Sequence, residues 1–313
     1  MKRCFVFPGQ GAQFVGMGKD LYDEYPATHE LFALATEAAG FDVPELVFSG
    51  TEDDIKSTDK SQIAITAVNL AARRVLAANG VESSASAGFS LGEYSALVDA
   101  GVLEEDECLQ LVAERGRIME TVSRSLDPAG GLAGMAAVVV LGEEAIGAAL
   151  VSAGVEGVYP ANINSPVQTV LSGTADGLEA AAPVLKGAGA RRVLPLKVSG
   201  PFHSPLMEEA RVQFREVLAG VSFSDPAKPV FSNVTGDQVT DGTSFRALCA
   251  DQLVFPVRWV AEESRIAEHG YDELLEVGPG EVLSGLWKAF KKSYPEVTAE
   301  CRAAGTVEQI TAL

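Results

Sequence analysis

Cysteine, histidine and basic residues are all scarce in this chain. The four cysteines, Cys4, Cys108, Cys249 and Cys301, contain no CxxC pair, and there are only three histidines, His29, His203 and His269. Neither set has the spacing of a structural zinc site, and isolated thiols suit a reducing compartment. Lys and Arg number 24 against 43 Asp and Glu, for a formal net charge of −19. A surface this acidic repels phosphate backbones and anionic lipid, which disfavours nucleic-acid and membrane-surface roles. The longest apolar run, Met135 to Leu141, is far short of a bilayer span. Only Cys4–Phe7 separates Lys2-Arg3 from Pro8, too little for the core of a signal peptide. A cytoplasmic protein is expected.

Aromatics make up 7% of the 313 residues, whereas hydrophobic residues reach 47%. Small and branched side chains in that proportion suit the close layer packing of an α/β protein, as one large domain or one interrupted by a smaller one. Lys2–Phe7 reads as a buried strand entering the turn Pro8-Gly9-Gln10-Gly11. Helical patterns follow at Gln62–Ala78, Gly92–Ala100 and Glu105–Val122. Ser83–Phe89 is assigned as a strand from context, because its Ser/Ala content has poor β-propensity. After a turn-rich junction, Ser125–Gly131, the order is strand (Met135–Leu141), helix (Glu143–Ala153) and strands (Val158–Ile163, Val167–Ser172). A helix (Ala175–Gly187) and a strand (Arg192–Val198) complete a βαββαβ, ferredoxin-like unit. Strands at Pro229–Asn233 and Glu273–Val277 and a helix at Glu281–Lys292 resume the first pattern. The expected division is 1–125 with 199–313 as the catalytic unit and 126–198 as the insertion.

Gly88-Phe89-Ser90-Leu91-Gly92 fits G-x-S-x-G, the turn that exposes a nucleophilic serine between a strand and a helix. The N–H groups at that helix start favour a developing oxyanion. Glu93, near the helix start, suits its dipole. A serine nucleophile needs a base, and among the histidines only His203 sits in a loop flanked by strand and helix patterns. His29 reads as a surface residue and His269 as a helix C-terminal one. Gln10 lies in a turn at the carboxyl edge of the expected sheet, where its backbone N–H can serve as a second oxyanion donor. Arg115 and Arg117 flank a helical Gly116. Either arginine could fork onto a carboxylate, and spacing does not choose between them.

Together these segments resemble the acyltransferase family that includes malonyl-CoA:acyl carrier protein transacylases. The resemblance runs through Phe7–Gln13, Gly88–Tyr94, Arg115-Gly116 with Met119, Asn162–Pro166, Gly200–Met207, Ser232–Gly236, Gln252-Leu253 with Pro256-Val257, and Glu276–Gly280. It implies an α/β-hydrolase-like core with a parallel sheet plus a ferredoxin-like insertion. It implies Ser90 as nucleophile, His203 as base and then acid, and the N–H groups of Gln10 and Leu91 as the oxyanion hole. Arg115 is implied to pair with the malonyl carboxylate, with Gln252, Asn162, Phe202 and Phe89 as pocket residues. The histidine is oriented in this family by main-chain carbonyls, in keeping with the absence of an obvious triad aspartate. Malonyl-CoA and acyl carrier protein are the implied partners of a monomer needing no metal or redox cofactor. Phe89 stands where many relatives carry His, and Glu120 where many carry Gln, so acyl selectivity is the property these departures bear on. Alternatives are a discrete acyltransferase serving polyketide synthesis, a serine acyl hydrolase, and a non-catalytic binding protein. Two anionic partners meeting an acidic chain also predict a local basic cluster, drawn from Lys186, Arg191, Arg192, Lys197, Lys288, Lys291 and Lys292.

Overall fold

The computed structural model describes residues 1–126 and 133–313; residues 127–131 of the expected junction lie outside them. Strand β1 (Arg3–Phe7) is followed by helices α1 (Lys19–Glu24), α2 (His29–Ala39), α3 (Val43–Ser49) and α4 (Thr58–Ala78). Next come β2 (Ala85–Gly88), α5 (Gly92–Asp99) and α6 (Glu105–Leu126). The middle of the chain supplies β3 (Gly134–Val139), α7 (Glu143–Ala153), β4 (Val158–Ser165), β5 (Gln168–Gly173), α8 (Ala175–Gly187) and β6 (Arg192–Pro195). The remainder is α9 (Glu208–Leu218), β7 (Val230–Ser232), β8 (Asp237–Val239), α10 (Gly242–Asp251) and α11 (Trp259–His269). It ends with β9 (Glu273–Glu276), α12 (Val282–Ser293), β10 (Glu300–Ala303) and α13 (Val307–Thr311). No helix among the described residues is long and apolar enough to cross a membrane.

Six strands form a sheet in the order β10-β9-β1-β2-β7-β8. Its neighbours are parallel except β7 with β8. β1 is apolar and buried from Cys4 to Phe7, as a central parallel strand must be. β2, Ala-Ser-Ala-Gly, has little propensity of its own. It forms because it is fully buried between β1 and β7, so tertiary pairing overrides local preference. Pairing of Phe7 with Gly88 and of Val6 with Glu276 brings the ends of β1, β2 and β9 to one edge, where the following loops converge.

The second sheet has the order β4-β5-β3-β6 and is antiparallel throughout, with the βαββαβ connectivity expected from the sequence. Val138, Ile146, Leu150, Leu171, Ala181 and Leu185 give it an apolar core separate from those of the larger sheet. It meets the larger unit through reciprocal backbone bonds around Val257, from Ile163 N–H (2.9 Å) and to the Ala161 carbonyl (2.8 Å). The Ser172 hydroxyl adds a bond to the Phe202 carbonyl. The helices α2 and α3 and the edge strand β10 have no counterpart in the sequence-based assignment.

Candidate active site

The turn between β2 and α5 is set by two close backbone approaches. A Cβ on Gly88 would lie 2.1 Å from the Gly92 carbonyl carbon, and one on Gly92 would lie 2.0 Å from the Phe7 carbonyl oxygen. Only hydrogen fits at either place, so the two glycines of the motif are steric requirements of the turn. Ser90 between them has φ +51°, a left-handed conformation that is costly for a residue with a Cβ.

His203 reaches Ser90 from the loop before α9 and is itself left-handed, at φ +57°. Its Nε2 lies 2.8 Å from Ser90 Oγ, and its Nδ1 lies 2.7 Å from the Gln252 carbonyl oxygen. A carbonyl can only accept, so Nδ1 carries the proton and Nε2 presents a lone pair to the hydroxyl. Burial, joined by the positive Arg115, pushes the His203 pKa down to about 4, against the pull of the Gln252 and Phe255 carbonyls. The imidazole is therefore neutral near pH 7, the form a general base requires.

The Ser90 backbone N–H is already committed, donating to Asn233 Oδ1 at 2.6 Å. Among the described residues, no protein acceptor takes the N–H of Leu91 or of Gln10. Gly9 packs onto the same turn, its missing Cβ being 2.3 Å from the Phe89 carbonyl oxygen and 3.4 Å from Leu91 N. Asn69 holds this loop from below through the Pro8 carbonyl (3.1 Å). Gln10 and Leu91 are thus brought together beside Ser90.

The two arginines that spacing left equivalent are separated by burial. Arg117 is solvent-exposed and pairs with Glu114 on its own helix. Arg115 is 1% exposed, and its guanidinium donates to Gln62 Oε1 (2.7 Å) and Gln252 Oε1 (2.9 Å) across from Tyr94. Its Nε–H has no protein acceptor. Gly116 beside it serves helix packing: a Cβ there would meet Asp59 Cα at 3.0 Å. Gln252 does more than line a pocket. Its amide nitrogen donates to the Ser90 carbonyl (3.1 Å) and to Glu93, its amide oxygen accepts from Arg115, and its own carbonyl orients His203.

The other expected pocket residues sit further from the dyad's hydrogen bonds. Asn162 is buried on β4 and bridges to Val257 through the backbone. Phe202 is buried and offers its carbonyl to Ser172. Phe89 turns its ring onto Trp259, edge to face, with centroids 5.5 Å apart. Glu93, expected to face the helix dipole, instead turns inward and is 1% exposed. Asn233 lay inside a recognised sequence segment, but nothing local marked its three bonds, to Ser90 N, the Gly88 carbonyl and Glu262.

The basic residues from which a local cluster is expected fall in two places. Lys288, Lys291 and Lys292 lie on the half of α12 that returns to the opposite edge of the sheet. There Lys291 pairs with Glu300, the first residue of β10, level with the first residue of β9. Lys186 lies in the last turn of α8, and Arg191 and Arg192 lead into β6, in the smaller unit. Helix geometry and strand direction divide residues that are only a few positions apart in sequence.

Residues 4–310 match the family model described as acyl transferase domain. A malonyl CoA-acyl carrier protein transacylase of Bacillus subtilis (strain 168) is 40% identical over 289 residues, 92% of this chain and 90% of that protein. The crystal structure of an acyl carrier protein S-malonyltransferase from Vibrio cholerae is similar with TM-score 0.92 and 39% identity, covering 100% of this chain and 99% of that one. A malonyl-transacylase solved with a type II polyketide synthase acyl-carrier protein matches at TM-score 0.92 and 36% identity, over 100% of this chain and 98% of that one.

Proposed function

The chain belongs to the acyl transferase family, and on that premise we propose that it carries a malonyl group from malonyl-CoA to the pantetheine thiol of an acyl carrier protein. The carrier is a malonyl ester of Ser90. The observation that supports this most directly is a neutral His203 bonded to Ser90, with a wholly buried Arg115 tied to the same serine through one amide, Gln252.

Ser90 Oγ attacks the thioester carbonyl while His203 Nε2 takes the hydroxyl proton. The tetrahedral oxyanion rests against the N–H groups of Leu91 and Gln10. Collapse breaks the carbon–sulfur bond, and the imidazolium returns its proton to the departing CoA thiolate. The carrier protein's thiol then gives its proton to His203 and attacks the ester, and Ser90 leaves with that proton. No step needs a metal or an electron carrier. Arg115 favours an acyl group with a free carboxylate, because an acetyl group offers no acceptor to its unpartnered Nε–H.

The test is intact mass after brief exposure to malonyl-CoA or acetyl-CoA. A single malonyl adduct is expected, absent from Ser90→Ala and weak with the acetyl donor. Rapid loss of thioester without an adduct would overturn transfer in favour of hydrolysis. Fatty-acid synthesis is the proposed setting, and the likeness to the polyketide-associated enzyme supports the same chemistry with a polyketide carrier as a second reading. Transfer rates to the two kinds of carrier protein separate them.

A further inference from the structure

Arg115 is a buried cation with no carboxylate against it. Both of its protein partners are amide oxygens, those of Gln62 and Gln252. The carboxylate nearest along the hydrogen bonds is Glu93, reached through the same Gln252 side chain, whose nitrogen donates to Glu93 Oε2. The Asn233 N–H donates to that same oxygen at 3.3 Å, while Oε1 has no partner. A second buried acid, Glu262 on α11, bonds to Asn233 Nδ2 (2.7 Å).

We propose that Glu93 is the resident counter-anion of Arg115 in the empty site, and that it takes up a proton from solvent when a substrate carboxylate arrives at Arg115. Glu93 is thereby a positioning residue that makes malonyl loading proton-coupled. The inference rests on the reading of Arg115 given above.

The argument is one of buried charge. With Glu93 ionised and Glu262 protonated, the pocket holds one cation and one anion. An incoming carboxylate adds a second anion to a dry site, which is costly unless one carboxylate is neutralised. Glu93 can accept a proton on Oε1 without breaking either bond to Oε2, and the unpartnered Ser232 hydroxyl stands beside it. The other groups acting on Glu93 are Arg115 on α6, Glu262 on α11, Cys249 on α10 and the neighbouring Tyr94. Burial sets Glu93 at about 7, opposed by its hydrogen bonds from Gln252 and Asn233 and by Arg115. Burial and the charge of Glu93 raise Glu262 well above the carboxylate range, and Glu263 acts on it in the same sense. Cys249 is held as a thiol by burial. A group poised near 7 can respond to a single new neighbouring charge.

Exchange of a serine ester for a CoA thiol is itself proton-neutral below the thiol range, so proton uptake reports Glu93 alone. Mixed with malonyl-CoA in weak buffer containing a pH indicator, at about pH 7.5, the wild-type chain should take up close to one proton per Ser90 acylated. Acetyl-CoA should produce none. Above about pH 7 the wild-type preference for malonyl over acetyl should fall by up to about tenfold per pH unit. In Glu93→Gln, isosteric with the protonated acid, uptake should vanish and the preference should not vary with pH. Equal uptake with both donors, or parallel pH profiles for wild type and Glu93→Gln, would overturn the coupling while leaving malonyl selectivity intact. Equal labelling by both donors at every pH would instead overturn the role of Arg115, and this coupling with it. The uptake measurement on the wild type needs no variant, so it decides the matter even if Glu93→Gln does not fold.

Discussion

The two sheets handle buried polarity in opposite ways. The four-stranded unit encloses an apolar core of Val138, Ile146, Leu150, Leu171 and Leu185. The six-stranded unit instead buries Glu93, Arg115, His203, Gln252, Asn233 and Glu262 within its interior. Unpaired charge in a core is expensive, and a protein of this size does not need it for stability. Much of that burial lies at the edge where Ser90 is presented, whereas Asp99 and Glu273, buried elsewhere in the unit, are paired with Arg73 and Arg3. The smaller unit adds hydrogen bonds at Val257 and Phe202, and among its described residues the buried polar side chains, Asn162, Ser165, Thr169 and Ser172, are all uncharged.

The sharpest way to break this contrast is Arg115→Ala. Removing a desolvated charge partner costs about 2–5 kcal/mol in comparable interfaces, so malonyl preference over acetyl should fall by about thirtyfold or more in competition labelling. Survival of the preference would mean that the buried charges of the larger unit do not select substrate.

Acid comes next. The folded pKa of His203 is lowered to about 4 against an ordinary 6.5, so its contribution to stability is present above 6.5 and is lost as pH falls through 4. The loss should approach about 3 kcal/mol, read from urea titrations at several pH values and absent in His203→Gln. Glu93, raised to about 7, works in the other sense. Its contribution is complete below 4.5 and is lost as pH rises through 7. The two opposed slopes nearly cancel between about 4.5 and 6.5, so wild type should show a broad plateau there, and the contribution of His203 is read as the difference between wild type and His203→Gln.

Ile146→Val, a methyl deletion in the apolar core of the smaller unit, should cost about 1 kcal/mol with no change in transfer rate. A rate effect would show that the smaller unit reaches further into the site than its contacts indicate. The smallest effect belongs to Arg117→Ala. Its exposed pair with Glu114 should contribute less than about 0.5 kcal/mol in thermal unfolding.

Much of the fold and part of the site were legible in the sequence. Ser90 and its flanking glycines announce themselves because the turn has a steric signature, and β1 because its apolar run is continuous. The βαββαβ order was readable from alternating periods. The orientation of His203 was not assignable to a residue, because its acceptor is a main-chain carbonyl, which carries no side-chain signature. A carboxylate at a helix start usually faces water and the dipole, but Glu93 turns inward. Its burial depends on Gln252 and Asn233, which lie about 140 to 160 positions away along the chain. The positions of the basic residues were illegible for the same reason: closeness in sequence does not fix which edge of a sheet a helix end reaches.

Ser90 and His203 share a backbone conformation that glycine adopts freely and other residues resist. Replacing either by glycine therefore both relaxes the chain and removes the chemistry. On the reading proposed above, heat resistance and acyl transfer are set against each other at Ser90, where little volume is lost; at His203 the buried ring would leave a cavity that offsets the relief.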